Sequence, residues 1–255
     1  MKQNQTKSEN RKALPVFLLI VAVALVAGFA LGFLAVRSDD SNWKQALTKA
    51  LGWFFTNTTP FILLALFAGI LTAGLRTVSR GKRMIAALGE DDEGFHAADH
   101  LLGHGLNTVN TMFILSYFFV GALMCYIPQI RQPFFWLGLG SFCGILAAGL
   151  IFSQKIVDLT KKLYPEKQGS VYDVKFNKIW LSSCDEAERA VIAQAALSGY
   201  HAATSACLAL WLLFVLMHMF FDTGLLPIFA VSVIWFVSFL SYTRRAAKLE
   251  KTGVR

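Results

Sequence analysis

The sequence predicts an all-α polytopic membrane protein: six transmembrane helices in three hairpins, with helical cytoplasmic extensions. Three observations predict it. First, 55% of the 255 residues are hydrophobic, against about 45–50% in an ordinary soluble domain. Second, the apolar residues are gathered into six runs, at about 14–36, 53–75, 108–127, 134–153, 197–220 and 224–243, and none contains Asp, Glu, Lys or Arg. Runs of about 20 apolar residues are what a ~30 Å hydrocarbon layer requires. Third, 20 of the 24 Lys and Arg residues fall on alternate connecting segments, the asymmetry that orients membrane helices with their basic flanks inside.

The runs must be helical, because an unpaired backbone amide in lipid costs several kcal/mol. Barrel strands would be shorter and would alternate in polarity. The charge asymmetry places both termini in the cytoplasm, with residues 1–255 as a single integral domain of the cell membrane. The net charge of +8 then reads as topological, facing anionic lipid, and not as a nucleic-acid surface. The bilayer is the first expected partner, and no cofactor is expected. Composition leaves the oligomeric state open.

In chain order, the run at 14–36 follows Lys2, Lys7, Arg11 and Lys12. It exceeds the 7–15 apolar residues of a signal peptide and is expected to be a retained anchor. Ala24, Gly28 and Gly32 form a small-residue stripe on it, the kind that lets a neighbouring backbone approach closely. Residues 41–55 alternate with helical period between Trp43, Ala46, Leu47, Ala50, Leu51 and Phe54 and a polar face. This predicts an interfacial amphipathic helix feeding the second span, with Asn57, Thr58, Thr59 and Pro60 marking either the join or a kink. The second span carries Ala65, Gly69 and Ala73, and the fourth Gly140, Gly144 and Ala148, further close-packing stripes. Basic extensions follow through Arg76–Arg83 and Lys155–Lys162, the first ending in an acidic turn at 89–94. The four cysteines show no C-x-x-C spacing, and no disulfide framework is expected.

The segment 154–195 is predicted to be a cytoplasmic helical connector, and it contains FNKIWLSSCDEAER at 176–189. Phe176, Trp180, Cys184 and Ala187 share one helical face. Asp185 and Arg189 have the spacing of a helical ion pair. Ser183 with Glu186 fits a capping box, so a new helix is expected to start at Ser183, with Asp185, Glu186 and Glu188 in its first turns. Phe176, Trp180, Ser183, Cys184, Asp185, Glu186 and Glu188 are the candidate partner-binding residues. Cys184 has no neighbouring histidine in sequence, and the acidic residues beside it do not favour a reactive thiolate.

His96, His100 and His104 repeat every four residues. Two such histidines can share a metal, completed by Asp99, Asp185, Glu186 or Glu188. No H-E-x-x-H pattern supports this, and solvated histidines account for the stripe as well. No P-loop motif is present.

The run Tyr164-Pro165-Glu166-Lys167, followed by Tyr172-Asp173, Phe176 and then W-L-x-S-C-D-E-A-E from Trp180 to Glu188, resembles a bacterial family of multi-pass membrane proteins defined only as a domain of unknown function. The resemblance implies an integral membrane protein, and genomic association of such members with small helix-turn-helix regulators implies a protein that holds or senses a regulator. Ala190-Val191-Ile192-Ala193 departs from the polar continuation expected there. The expected function is therefore a non-enzymatic regulatory or accessory membrane protein whose cytoplasmic face binds a soluble partner. Two alternatives stand beside it. A transporter or export-accessory subunit would need a polar cavity lined by Asn57, Thr58, Asn110, Thr111, Tyr117 or Thr204. A membrane metalloenzyme would need the histidine stripe to face the central carboxylates.

Overall fold

The computed structural model describes residues 42–88 and 92–251, together with Pro15, Leu19, Ala22, Val23 and Val26. The described residues hold six α-helices and no strand: α1 (Asn42–Ala86), α2 (Asp92–Cys125), α3 (Gln132–Leu163), α4 (Phe176–Ser182), α5 (Glu186–Phe221) and α6 (Leu226–Lys251). A single 3-10 turn, Ile127–Gln129, joins α2 to α3. Five helices, all but α4, are long and apolar enough to cross a membrane. The sixth expected span, with its Ala24, Gly28 and Gly32 stripe, lies outside the described residues but for the five helical positions above. So do positions 89–91 of the acidic turn.

α1 differs from expectation. It runs unbroken for 45 residues and passes through Pro60, so the interfacial helix at 41–55 and the second span are one rod. At 1.5 Å per residue it is about 68 Å long, well over twice the hydrocarbon thickness. The residues at 57–60 were expected to mark a join or a kink, and the helix is continuous there. Asn57 donates to the carbonyl of Trp53 (2.7 Å) and Thr58 to that of Phe54 (2.6 Å), folding their polarity back onto the helix. The basic extension is real helix to Ala86, as is that of α3 to Leu163.

The chain divides into two compact units, 46–192 and 1–45 with 193–255. In the first, α1, α2 and α3 share a core of Leu63 and Ile70, Leu102, Val109 and Leu123, and Ile145, Phe152 and Ile156. Small residues let the three rods touch. Gly74 faces the Phe152 ring, Gly144 faces Phe67, Gly105 abuts Thr77, and Gly69 meets Met112. Ala148 is buried, whereas Gly140 meets open space, so the expected stripe on α3 is used in part.

In the second unit no residue of α5 is buried. Tyr200 stacks on Tyr242 at 4.7 Å, and Trp43 meets Phe221 edge-on at 5.7 Å. The α5–α6 turn takes positive φ at Asp222 and Gly224 (52° and 75°). His218 closes it by accepting from the backbone N–H of Gly224 at 3.1 Å. Large apolar side chains point outward throughout: Leu226 is 76% exposed, Trp53 and Ile114 69% each. Water tolerates such continuous apolar surface poorly; a lipid solvent accounts for it.

Candidate functional site: a cleft around a buried lysine

The segment 164–185 is tied to α3 by side chains. Gln154 Oε1 accepts from Ser170 Oγ (3.0 Å) and from the Val171 N–H (2.7 Å). Lys161 donates to the carbonyl of Gly169. Gly169 holds φ +117°, and the Phe176 ring lies where a Cβ would point; only glycine suits both demands. Ser183 Oγ accepts from the N–H of Gln168 (3.1 Å) and donates to the Trp180 carbonyl (2.7 Å).

This folding carries Lys167 inward until it is 6% exposed. Its ammonium donates to Glu188 Oε2 and lies 3.3 Å from Cys184 Sγ. It also sits 5.9 Å from the ring centroids of Tyr164 and Trp180, within cation–π reach. Tyr164 in turn meets Phe95 edge-on at 5.2 Å and hydrogen-bonds the Asp99 carboxylate. Burial alone would depress the Lys167 pKa, but the hydrogen bonds to Glu188 and Cys184 and their charges outweigh it and hold the value above the usual lysine range. The Tyr164 hydroxyl is also pushed up, first by burial and then by the Asp99 charge and hydrogen bond. Burial leads the Tyr164 shift, whereas the bonds to Glu188 and Cys184 drive that of Lys167.

These groups line a cleft of about 430 Å³, whose walls also include Ala187, Val191 and Ile192. Val191 is 67% exposed and Ile192 41%. Polar groups thus occupy the cleft's inner part, and its outer wall is apolar.

The motif residues divide. Trp180, Cys184 and Glu188 turn into the cleft. Phe176 stays half-buried, 5.6 Å from Trp180. Asp185 and Glu186 are exposed. The helix start is corrected: α5 begins at Glu186, not at Ser183. Asp185 and Glu188 form the reciprocal box, with Glu188 N–H to Asp185 Oδ1 at 2.7 Å and Asp185 N–H to Glu188 Oε2 at 3.1 Å. Ser183 is already committed to Gln168 and Trp180. The expected Asp185–Arg189 ion pair is replaced by a different bond set. Arg189 donates to the carbonyls of Leu181 (3.1 Å) and Ser182 (2.9 Å), closing the C-terminal end of α4.

Lys167 joins the acidic residues expected around Cys184, at 3.3 Å from its sulfur. The histidines do not meet the central carboxylates: His100 and His104 pack ring to ring at 4.4 Å, and His96 lies against Phe95. Among the described residues no group of three His, Cys, Asp or Glu side chains converges on a metal position. Of the polar residues proposed to line a transport cavity, Thr111 and Thr204, like Asn57 and Thr58, bond carbonyls of their own helices, and Tyr117 packs between Phe113 and Phe142.

Sequence reasoning missed Lys167 as the centre, and with it Tyr164 and Gln154; Asp99 had entered only as a metal ligand. No family model, curated protein or solved structure matches the chain.

Proposed function

We propose that the chain is a non-enzymatic regulatory or accessory protein of the cell membrane, with six spans and both termini cytoplasmic. Its cytoplasmic end binds a soluble partner, and the cleft around Lys167 is where that partner docks. The polytopic reading is supported by five long apolar helices, and the orientation by the 20 Lys and Arg on one set of connectors. The observation that carries the binding reading is the cleft itself. It combines an enclosed ion pair with an exposed apolar wall at Val191 and Ile192, the combination of apolar lining and few convergent polar groups that marks binding sites. The resemblance of the W-L-x-S-C-D-E-A-E segment to a family associated with helix-turn-helix regulators supports such a regulator as the partner.

The test is affinity capture from membranes with wild type, Trp180→Ala, Glu186→Lys and a control, Phe236→Ala, on α6. A partner held by wild type and control but lost from Trp180→Ala supports the reading. The same proteins on all four baits would overturn it. A reporter fused after Arg255 should be active inside the cell; activity only outside would reverse the topology.

A transporter reading is less well supported, because the shared interior of α1, α2 and α3 is filled by apolar side chains. Among the described residues no converging ligand set supports the metalloenzyme reading.

A further inference from the structure

We propose that the cleft takes an ammonium head group attached to an apolar tail, seated between Asp99 and the ring of Trp180. This rests on reading the cleft as a binding site and names the chemistry of what enters it.

The argument starts from charge. Two carboxylates, Asp99 and Glu188, line the cleft with one ammonium, Lys167. Lys167 is engaged by Glu188. Asp99 bonds the neutral Tyr164 hydroxyl and makes no ion pair among the described residues. The cleft therefore carries one uncompensated negative charge. The Trp180 ring, one side of which Lys167 approaches at 5.9 Å, offers a further face that attracts cations. An anionic ligand would meet a lysine already satisfied and a carboxylate that repels it.

The tail has a place too. Val191 and Ile192 extend the cleft along α5 as exposed apolar surface. A head group in the cleft would leave its tail against Val191 and Ile192. The same chemistry is offered by a free alkylamine and by the ethanolamine head group of a phospholipid.

Full-length protein in non-ionic detergent, titrated calorimetrically with hexylamine, should bind one molecule per chain saturably. Hexanoate and hexanol should bind at least tenfold more weakly. Asp99→Asn keeps an acceptor for Tyr164 and should weaken hexylamine at least tenfold. Trp180→Leu, which removes the ring face and keeps an apolar side chain, should weaken it several-fold and serves if the first variant does not fold. Repeating the titration in nanodiscs separates the sources. Weaker apparent hexylamine binding in phosphatidylethanolamine than in phosphatidylglycerol discs identifies the lipid head group, and equal binding identifies a free amine. Hexanoate binding as tightly as hexylamine, or hexylamine binding unchanged in both variants, overturns the proposal. Partner capture by wild type without hexylamine binding would overturn the ligand class and leave the docking reading intact.

Discussion

Lys167 Nζ and Cys184 Sγ lie 3.3 Å apart although 17 residues separate them in the chain. The contact exists because the turn after α3 folds back against the start of α5, and Glu188 supplies the countercharge. The two halves of the ion pair differ in enclosure: the Lys167 side chain is 4% exposed and that of Glu188 36%.

That difference predicts an order of stabilities. Glu188→Gln leaves an enclosed ammonium without its countercharge, whereas Lys167→Met leaves a carboxylate that reaches water. Breaking a fully buried pair costs about 3–5 kcal/mol, and the exposure of Glu188 reduces this toward about 1–3 kcal/mol. Glu188→Gln should be the costlier change, read as the larger fall in thermal unfolding midpoint in detergent. The reverse order would mean that the lysine is not held by charge.

The same cluster sets a pH dependence. Lys167 has its value raised in the folded chain, so its contribution is complete below the ordinary lysine value of about 10.4. It is lost as pH rises through the higher folded value. Tyr164 is also raised and acts in the same direction, its folded form favouring the neutral phenol. The contribution of the pair should be flat from neutral pH to about 9 and decline above about 10. Comparing wild type with Lys167→Met/Tyr164→Phe across that range isolates it. A difference between the two that grows with alkalinity would contradict the assignment.

At the start of α5, Asp185→Ala removes a side-chain acceptor from the Glu188 N–H and should cost about 1 kcal/mol, the usual loss for an N-cap. Glu186→Ala, one residue along and exposed, should stay within about 0.5 kcal/mol, as surface changes do. Chemical denaturation of the two variants decides between the caps. A larger loss for Glu186→Ala would restore Ser183 as the capping residue.

This pair of variants also shows where the sequence was legible. Long helices could be read directly, because lipid demands charge-free runs and leaves the basic residues at their ends. The start of α5 could not. Ser183 with Glu186 and Asp185 with Glu188 fit the same cap-x-x-Glu spacing. The choice is made by distant groups, as Gln168 and Trp180 engage the Ser183 hydroxyl while Lys167 fixes Glu188. Lys167 itself sat in view as one basic residue among seven on its connector. No helical or strand period links it to Trp180 or Cys184, so only the folded turn at 164–170 could bring them together. The residues 57–60 were hard to read for a related reason: polar residues near a proline look like a break, but Asn57 and Thr58 bond helix carbonyls and the helix continues.

The packing of α1 against α2 gives a last prediction. Gly105 and Gly103 are two residues apart on α2, yet their surroundings are opposite. A Cβ at Gly105 would overlap the side chain of Thr77 on α1, whereas one at Gly103 meets nothing within 4 Å. Gly105→Ala should force the helices apart and destabilise by about 1–3 kcal/mol, the usual cost of overpacking. Gly103→Ala should be neutral or stabilising by up to about 1 kcal/mol, since alanine costs the unfolded chain less entropy. Thr77→Gly should relieve Gly105→Ala and leave Gly103→Ala unchanged, because only the first pair shares a contact. Thermal unfolding of the single and double variants measures both couplings. Additive effects at 77 and 105 would show that α1 and α2 do not pack through these two residues.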